Sequence, residues 1–128
     1  MSFLKNIFGA SETEKKLLKL PWNYLEDIEQ INEIVEVSKS KAVLIFKHST
    51  TCSISRMAFK NFENEFDIAT EIDIYYLDLL NFRAISNEIA SLFSVTHQSP
   101  QVLLIKNGKS VYDKSHEDID AASLTRLV

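Results

Sequence analysis

One cysteine, two glycines and two prolines are few for a chain of 128 residues, and basic charge is not in excess. Each shortage excludes something. A lone cysteine, Cys52, rules out an internal disulfide and a multi-cysteine zinc site. Two glycines leave no phosphate-cradling loop and little material for long flexible ones. The net charge of -4, with no basic cluster beyond Lys15-Lys16 and Lys39/Lys41, argues against a nucleic-acid partner. No apolar run approaches the roughly 20 residues of a membrane-spanning helix. Met1–Ala10 lacks the apolar stretch of a secretory signal. The expectation is a cytoplasmic protein, with no membrane contact, in a compartment that keeps thiols reduced.

What is present is ordinary for one globular domain. Apolar residues make up 45% and charged residues 25%, enough to build and solubilise a single core. Residues 1–21 read as an N-terminal extension and residues 22–128 as the domain. In the extension, Phe3, Leu4, Ile7 and Phe8 suggest an amphipathic turn. Ser11-Glu12-Thr13-Glu14 resembles a helix start, and Pro21 ends the pattern.

Within the domain, Trp22–Leu25 reads as a short strand. Asp27 and Gln30 fit a capping box, with Ile28, Ile31 and Val35 on one helical face. Ala42–Phe46 is a buried strand. Ile54, Ala58, Phe62 and Phe66 recur at helical spacing. Ile72–Leu79 predicts a strand, and Ile85, Ile89, Leu92 and Phe93 a helix capped by Asp78 or Asn81. Val102–Ile105 predicts a strand, Asn107-Gly108 a hairpin, and Ser110–Asp113 its second arm. Asp120 caps a last helix carrying Leu124 and Leu127. The order β-α-β-α-β-α-β-β-α implies parallel strands with an antiparallel edge. That is the order of a thioredoxin-like fold: an α/β protein with a central mixed five-stranded sheet flanked by helices.

Cys52 falls between a buried strand and the start of a helix. There the helix dipole and the unpaired first-turn N–H groups favour thiolate, the nucleophilic form. It could also be a small buried hydrophobe, but its place at a strand's C-terminal end favours a reactive role. Lys47 and His48 stand close enough in sequence to add positive charge, unless they are solvated. Ser55, three residues on, can hydrogen-bond a thiolate but cannot resolve a disulfide, so resolution requires an outside thiol. Thr50 and Thr51 read as helix caps, placed where they could also line the approach to sulfur.

Ser99-Pro100 precedes a strand. A proline there is either an ordinary strand boundary or cis; in thioredoxin-like folds it is cis and lies beside the active cysteine. His97 lies three residues earlier. If its loop faces Cys52, His48, Cys52 and His97 could hold a metal or supply a base; otherwise both histidines are polar loop residues. His116 reads as structural or solvated. A cysteine phosphatase needs an arginine six residues after its cysteine, and Ala58 is there instead. A papain-like local signature is also missing.

Taken together, Phe46-Lys47-His48-Ser49-Thr50-Thr51-Cys52-Ser53-Ile54-Ser55, Tyr76-Leu77-Asp78-Leu79, Arg83-Ala84-Ile85-Ser86-Asn87 and His97-Gln98-Ser99-Pro100-Gln101-Val102 resemble the YtxJ, or monothiol bacilliredoxin, family of bacillithiol-using bacteria. Ser115-His116 also fits. The family usually has arginine just before the cysteine; here that residue is Thr51. The resemblance implies an enzyme that removes bacillithiol from protein mixed disulfides through Cys52. It implies no bound cofactor, with bacillithiol as co-substrate. Partners would be bacillithiolated client proteins and another redoxin or reductase. Lys47, His48, Thr50, Thr51, Ser55, His97, Ser99 and Pro100 would line the substrate. The rival reading is a non-catalytic binding or redox-sensing module on the same fold.

Overall fold

The computed structural model describes residues 18–68 and 71–128; the expected amphipathic turn and helix start before Leu18 lie outside the described residues. Strands β1 (Asn23–Tyr24), β2 (Val43–His48), β3 (Asp73–Asp78), β4 (Gln101–Lys106) and β5 (Lys109–Ser115) form one sheet in the order β1-β3-β2-β4-β5. β1, β3 and β2 run parallel, while β4 and β5 are antiparallel to their neighbours. Helices α1 (Gln30–Val37), α2 (Ser53–Glu65) and α3 (Arg83–Leu92) fill the connections between strands, and α4 (Ala121–Thr125) follows β5 after a 3-10 turn at His116–Asp118. This is the expected thioredoxin-like architecture.

Strand β2 is buried along its whole length, so both faces carry apolar side chains. Leu44 and Phe46 point toward α2 and α4, into a cluster with Trp22, Phe59, Phe62, Phe66, Ile74 and Leu124. Val43 and Ile45 point the other way, against Ile31, Ile34, Ile85 and Ile89. Burying each such side chain stabilises the fold by about 1.5–3 kcal/mol.

Local signals act as expected at several ends. The Gln30 Oε1 accepts from the N–H of Asp27 at 2.9 Å, and Asp27 Oδ1 accepts from Glu29 N–H at 2.9 Å. Asn107 (φ 52°) and Gly108 (φ 74°) make the hairpin with two left-handed residues, which clashes least at Asn-Gly. Ser38 clamps it, its carbonyl accepting from Asn107 N–H and its hydroxyl from Gly108 N–H. Asp120 caps α4 by accepting from Ala122 N–H.

Other expectations need correction. β2 runs two residues beyond Phe46, because Lys47 and His48 pair with β3 and find buried polar partners. On α2 the inward stripe is Ser55, Phe59, Phe62 and Phe66, while Ile54 is exposed. Ile54 and Ala58 mimic the spacing of the stripe one residue out of phase. Ile28, Leu92 and Leu127 are likewise exposed, and Ile34 takes the core place on α1. α3 is preceded by Phe82 at its N-cap; Asp78 instead accepts from Leu80 N–H and Asn81 Nδ2.

Leu18 and Leu20 pack on the core, and the chain beside them is fastened to α2 by one buried carboxylate. Glu63 Oε2 accepts from Trp22 Nε1 (2.8 Å), Lys19 N–H (3.0 Å) and Leu20 N–H (3.2 Å). Removing the carboxylate strands the buried Trp22 Nε1–H and leaves the part-buried Lys19 and Leu20 N–H groups without their acceptor. Glu63→Ala is therefore expected to lose about 2–4 kcal/mol in urea unfolding, and Glu63→Gln, which keeps an acceptor, clearly less.

Candidate active site

The turn after β2 is closed by Cys52 N–H donating to the Ser49 carbonyl at 3.2 Å. The Cys52 carbonyl accepts from Arg56 N–H at 3.0 Å, the first bond of α2, so Cys52 is the N-cap residue. It is partly exposed and free. Its sulfur thus lies at the C-terminal edge of the sheet, at the end of a 13-residue helix whose first-turn N–H groups lack helical acceptors. No side chain caps the helix, so the capping role expected of Thr50 and Thr51 is not found. Thr51 is exposed, and the Thr50 carbonyl accepts from the Arg56 guanidinium at 3.1 Å. From the sequence, Arg56 had no role at the site. Its signal was its place four residues after Cys52, one helical turn back over the loop.

Alternation along β2 separates Lys47 from His48. His48 lies on the α2 face, stacked on Phe59 at 5.0 Å between ring centroids and edge-on to Tyr76 at 5.7 Å. Burial pushes it down to about 4; Asp78 opposes that shift and Arg56 adds to it. Its Nδ1 lies 2.7 Å from Ser55 Oγ. Ser55 is wholly buried, and its Oγ also accepts from Ser49 N–H at 2.9 Å. The hydroxyl expected to reach the thiolate is instead bonded to His48 and Ser49, joining β2, the turn and α2.

Lys47 lies on the opposite face, also wholly buried, and so does not meet a substrate directly. Its Nζ donates to the Ser86 carbonyl at 3.2 Å and lies 3.3 Å from His97 Nδ1. Ser86 Oγ is 3.1 Å from the same nitrogen. Burial lowers Lys47 to about 8. Burial, then Lys47 and Arg83, lower His97. His48 and His97 are therefore held on opposite faces of the sheet and do not converge on Cys52. Among the described residues no group of three or more His, Cys, Asp or Glu side chains could hold a metal.

The Ser99–Pro100 peptide is cis. Pairing of Lys47 with Gln101 sets the loop before β4 level with the end of β2, next to the Cys52 turn. The loop is braced by Gln101 Nε2 on the Thr96 carbonyl (2.9 Å) and by His116 N–H on the Pro100 carbonyl (3.1 Å). His116 takes a left-handed φ of 56° to do so. It also lines a largely apolar groove of about 390 Å³ with Ser53, Ile54, Met57, Ala58 and Ile119, beside the start of α2.

His48 makes a pH dependence. In the unfolded chain it binds a proton near 6.5, in the folded one only near 4. The unfolded state therefore holds more protons between these values, and stability present above pH 6.5 is lost as pH falls toward 4. The loss amounts to about 3 kcal/mol from this group. Urea unfolding between pH 7 and 4.5 is expected to show it, and His48→Phe to flatten much of the slope.

The fold agrees with known proteins. The description "monothiol bacilliredoxin BrxC" covers residues 23–124 of the chain. A solved structure assigned provisionally as an oxidoreductase with a thioredoxin fold shares 36% identity, over 80% of this chain and 89% of the other, with a TM-score of 0.70. The thioredoxin Mala s 13 of Malassezia sympodialis (17% identity, 87% and 90% covered, TM-score 0.65) is similar in fold alone. So is the thioredoxin of Fasciola hepatica (19%, 82% and 94%, TM-score 0.59). Family and fold together support a thiol redox function. With a lone cysteine at the N-cap position of α2 beside a cis-proline loop, the chain belongs to the monothiol bacilliredoxin family.

Proposed function

We propose that the protein is a monothiol oxidoreductase that removes bacillithiol from protein mixed disulfides. The observation that carries this reading is Cys52 itself: partly exposed, at the N-cap of α2, with the hydroxyl of Ser55 where a second thiol would stand. Cys52 thiolate attacks the bacillithiol sulfur of the client's disulfide. One S–S bond breaks and one forms, and the client leaves as a thiolate that takes up a proton. Cys52 then carries bacillithiol. A second bacillithiol thiolate, or that of another redoxin, attacks this disulfide and frees Cys52, the two-electron oxidation passing to the disulfide released. Ser55, held by His48 and Ser49, supplies no internal thiol for this second step.

The backbone beside Pro100 would align the client like an added strand, bringing the disulfide in line with the sulfur. Bacillithiol is the co-substrate, and no bound cofactor takes part. On this reading the reaction takes place in the cytoplasm, on bacillithiolated clients.

The groove beside α2 favours a second reading, a binding module whose thiol is only modified under oxidative stress. One experiment separates them. A bacillithiolated test protein and its glutathionylated counterpart are mixed with the chain, and transfer to Cys52 is followed by intact mass. Fast transfer from the bacillithiol adduct, absent in Cys52→Ser, is expected. Equal, slow transfer from both adducts would favour the module. Ser55→Ala should retain exchange, since its hydroxyl bonds to His48 and Ser49, but unfold about 1–2 kcal/mol more easily.

A further inference from the structure

Lys47 is a buried cation that meets a carbonyl and an imidazole but no carboxylate among the described residues. An ammonium has three donors and no lone pair. The contact with His97 therefore runs from Nζ to Nδ1, so Nδ1 carries no proton. The proton of the neutral ring must then sit on Nε2. Nδ1 faces the buried Lys47 and Ser86, so the partly exposed ring turns its Nε2–H the other way. Arg83 stands one helical turn before Ser86, exposed, and forms no ion pair among the described residues. It is close enough to His97 to lower that ring's basicity.

We propose that His97 Nε2–H and the Arg83 guanidinium form an anion-recognising edge of the cis-proline loop, which takes a carboxylate of the low-molecular-weight thiol, and that Lys47 is the positioning residue behind it. Lys47 fixes the tautomer and adds a positive field that strengthens the outward donor. A protonated imidazole would also donate from Nε2, but the neutral ring does so without placing a second cation against Lys47. This assignment rests on the exchange reading and names the part of the substrate that the loop reads: negative charge on the departing thiol. A neutral or cationic thiol would find two donors and no acceptor there.

The test loads one single-cysteine client with bacillithiol, 2-mercaptoethanol or cysteamine, which are anionic, neutral and cationic. Transfer rate constants to Cys52 are measured with the wild type, Arg83→Gln and Lys47→Met. The wild type should prefer the anionic adduct, and each variant should reduce that preference about fivefold, the size expected of a partly screened charge contact. Nitrogen-15 spectra of the imidazoles should show His97 as the Nε2–H tautomer, with Nδ1 unprotonated, and Lys47→Met should lose that fixed state. An unchanged preference in Arg83→Gln overturns the site, as does an Nδ1–H tautomer in the wild type. Should Lys47→Met not fold, those two readouts still decide. Transfer of every adduct at one rate leaves exchange standing and removes the site. Transfer of none overturns the exchange reading, and the site with it.

Discussion

A strand sends successive side chains to opposite faces, and at the end of β2 this rule places Lys47 under one side of the sheet and His48 under the other. Neither can reach water, so each must find a partner within the protein. His48 finds Ser55 and thereby holds the first turn of α2. Lys47 finds Ser86 and His97 and thereby ties α3 to the loop before β4. The two walls of the candidate site, the Cys52 turn and the cis-proline loop, are thus fastened to adjacent residues of one buried strand. Displacing either polar anchor would move a wall relative to the sulfur without touching the sulfur itself.

The same constraint explains what Ser55 is. Three residues after a reactive cysteine, a second thiol would allow an internal disulfide. Here the position is wholly buried and its oxygen has two polar neighbours. A hydroxyl is a better acceptor for the Ser49 N–H than a thiol, whose sulfur accepts weakly. Structure and chemistry therefore agree: the residue that stabilises the turn is also one that offers no second thiol.

Much of the fold was legible because its signals are local. The Asn107-Gly108 turn, the Asp27–Gln30 box and the Asp120 cap depend on a few neighbouring residues, and they stand where the sequence places them. Cys52 at a helix start, and the order of strands and helices along the chain, follow from periodicity and turn signals. The failures lie where tertiary partners decide. Nothing local distinguishes Ile54 from Phe59 as the inward residue of α2, since both sit in apolar rows one residue out of phase. Lys47 and His48 read as loop residues because their partners, Ser86, His97 and Ser55, are 39, 50 and 7 residues away in the chain. Ser86 matched the family stretch but gave no physical sign of a buried polar partnership, being a common residue inside an amphipathic helix. Arg56 offered only its spacing from Cys52.

Lys47 also carries an energetic argument. Burial holds it at about 8 rather than near its ordinary 10.5, so at neutral pH it is charged and its desolvation opposes folding. That penalty persists below pH 8 and is relieved only as pH rises from there toward 10.5, where the unfolded chain still holds the proton. A methionine would fill similar space without a charge, and replacing buried charges by apolar groups is often neutral or stabilising. The fold can bear the cost because both apolar clusters press on β2 from either side. Stability alone gives no reason for an ammonium there. A reason appears once the far edge of His97 is considered: an ammonium leaves that ring one tautomer, and so one fixed donor, at the mouth of the loop beside Cys52.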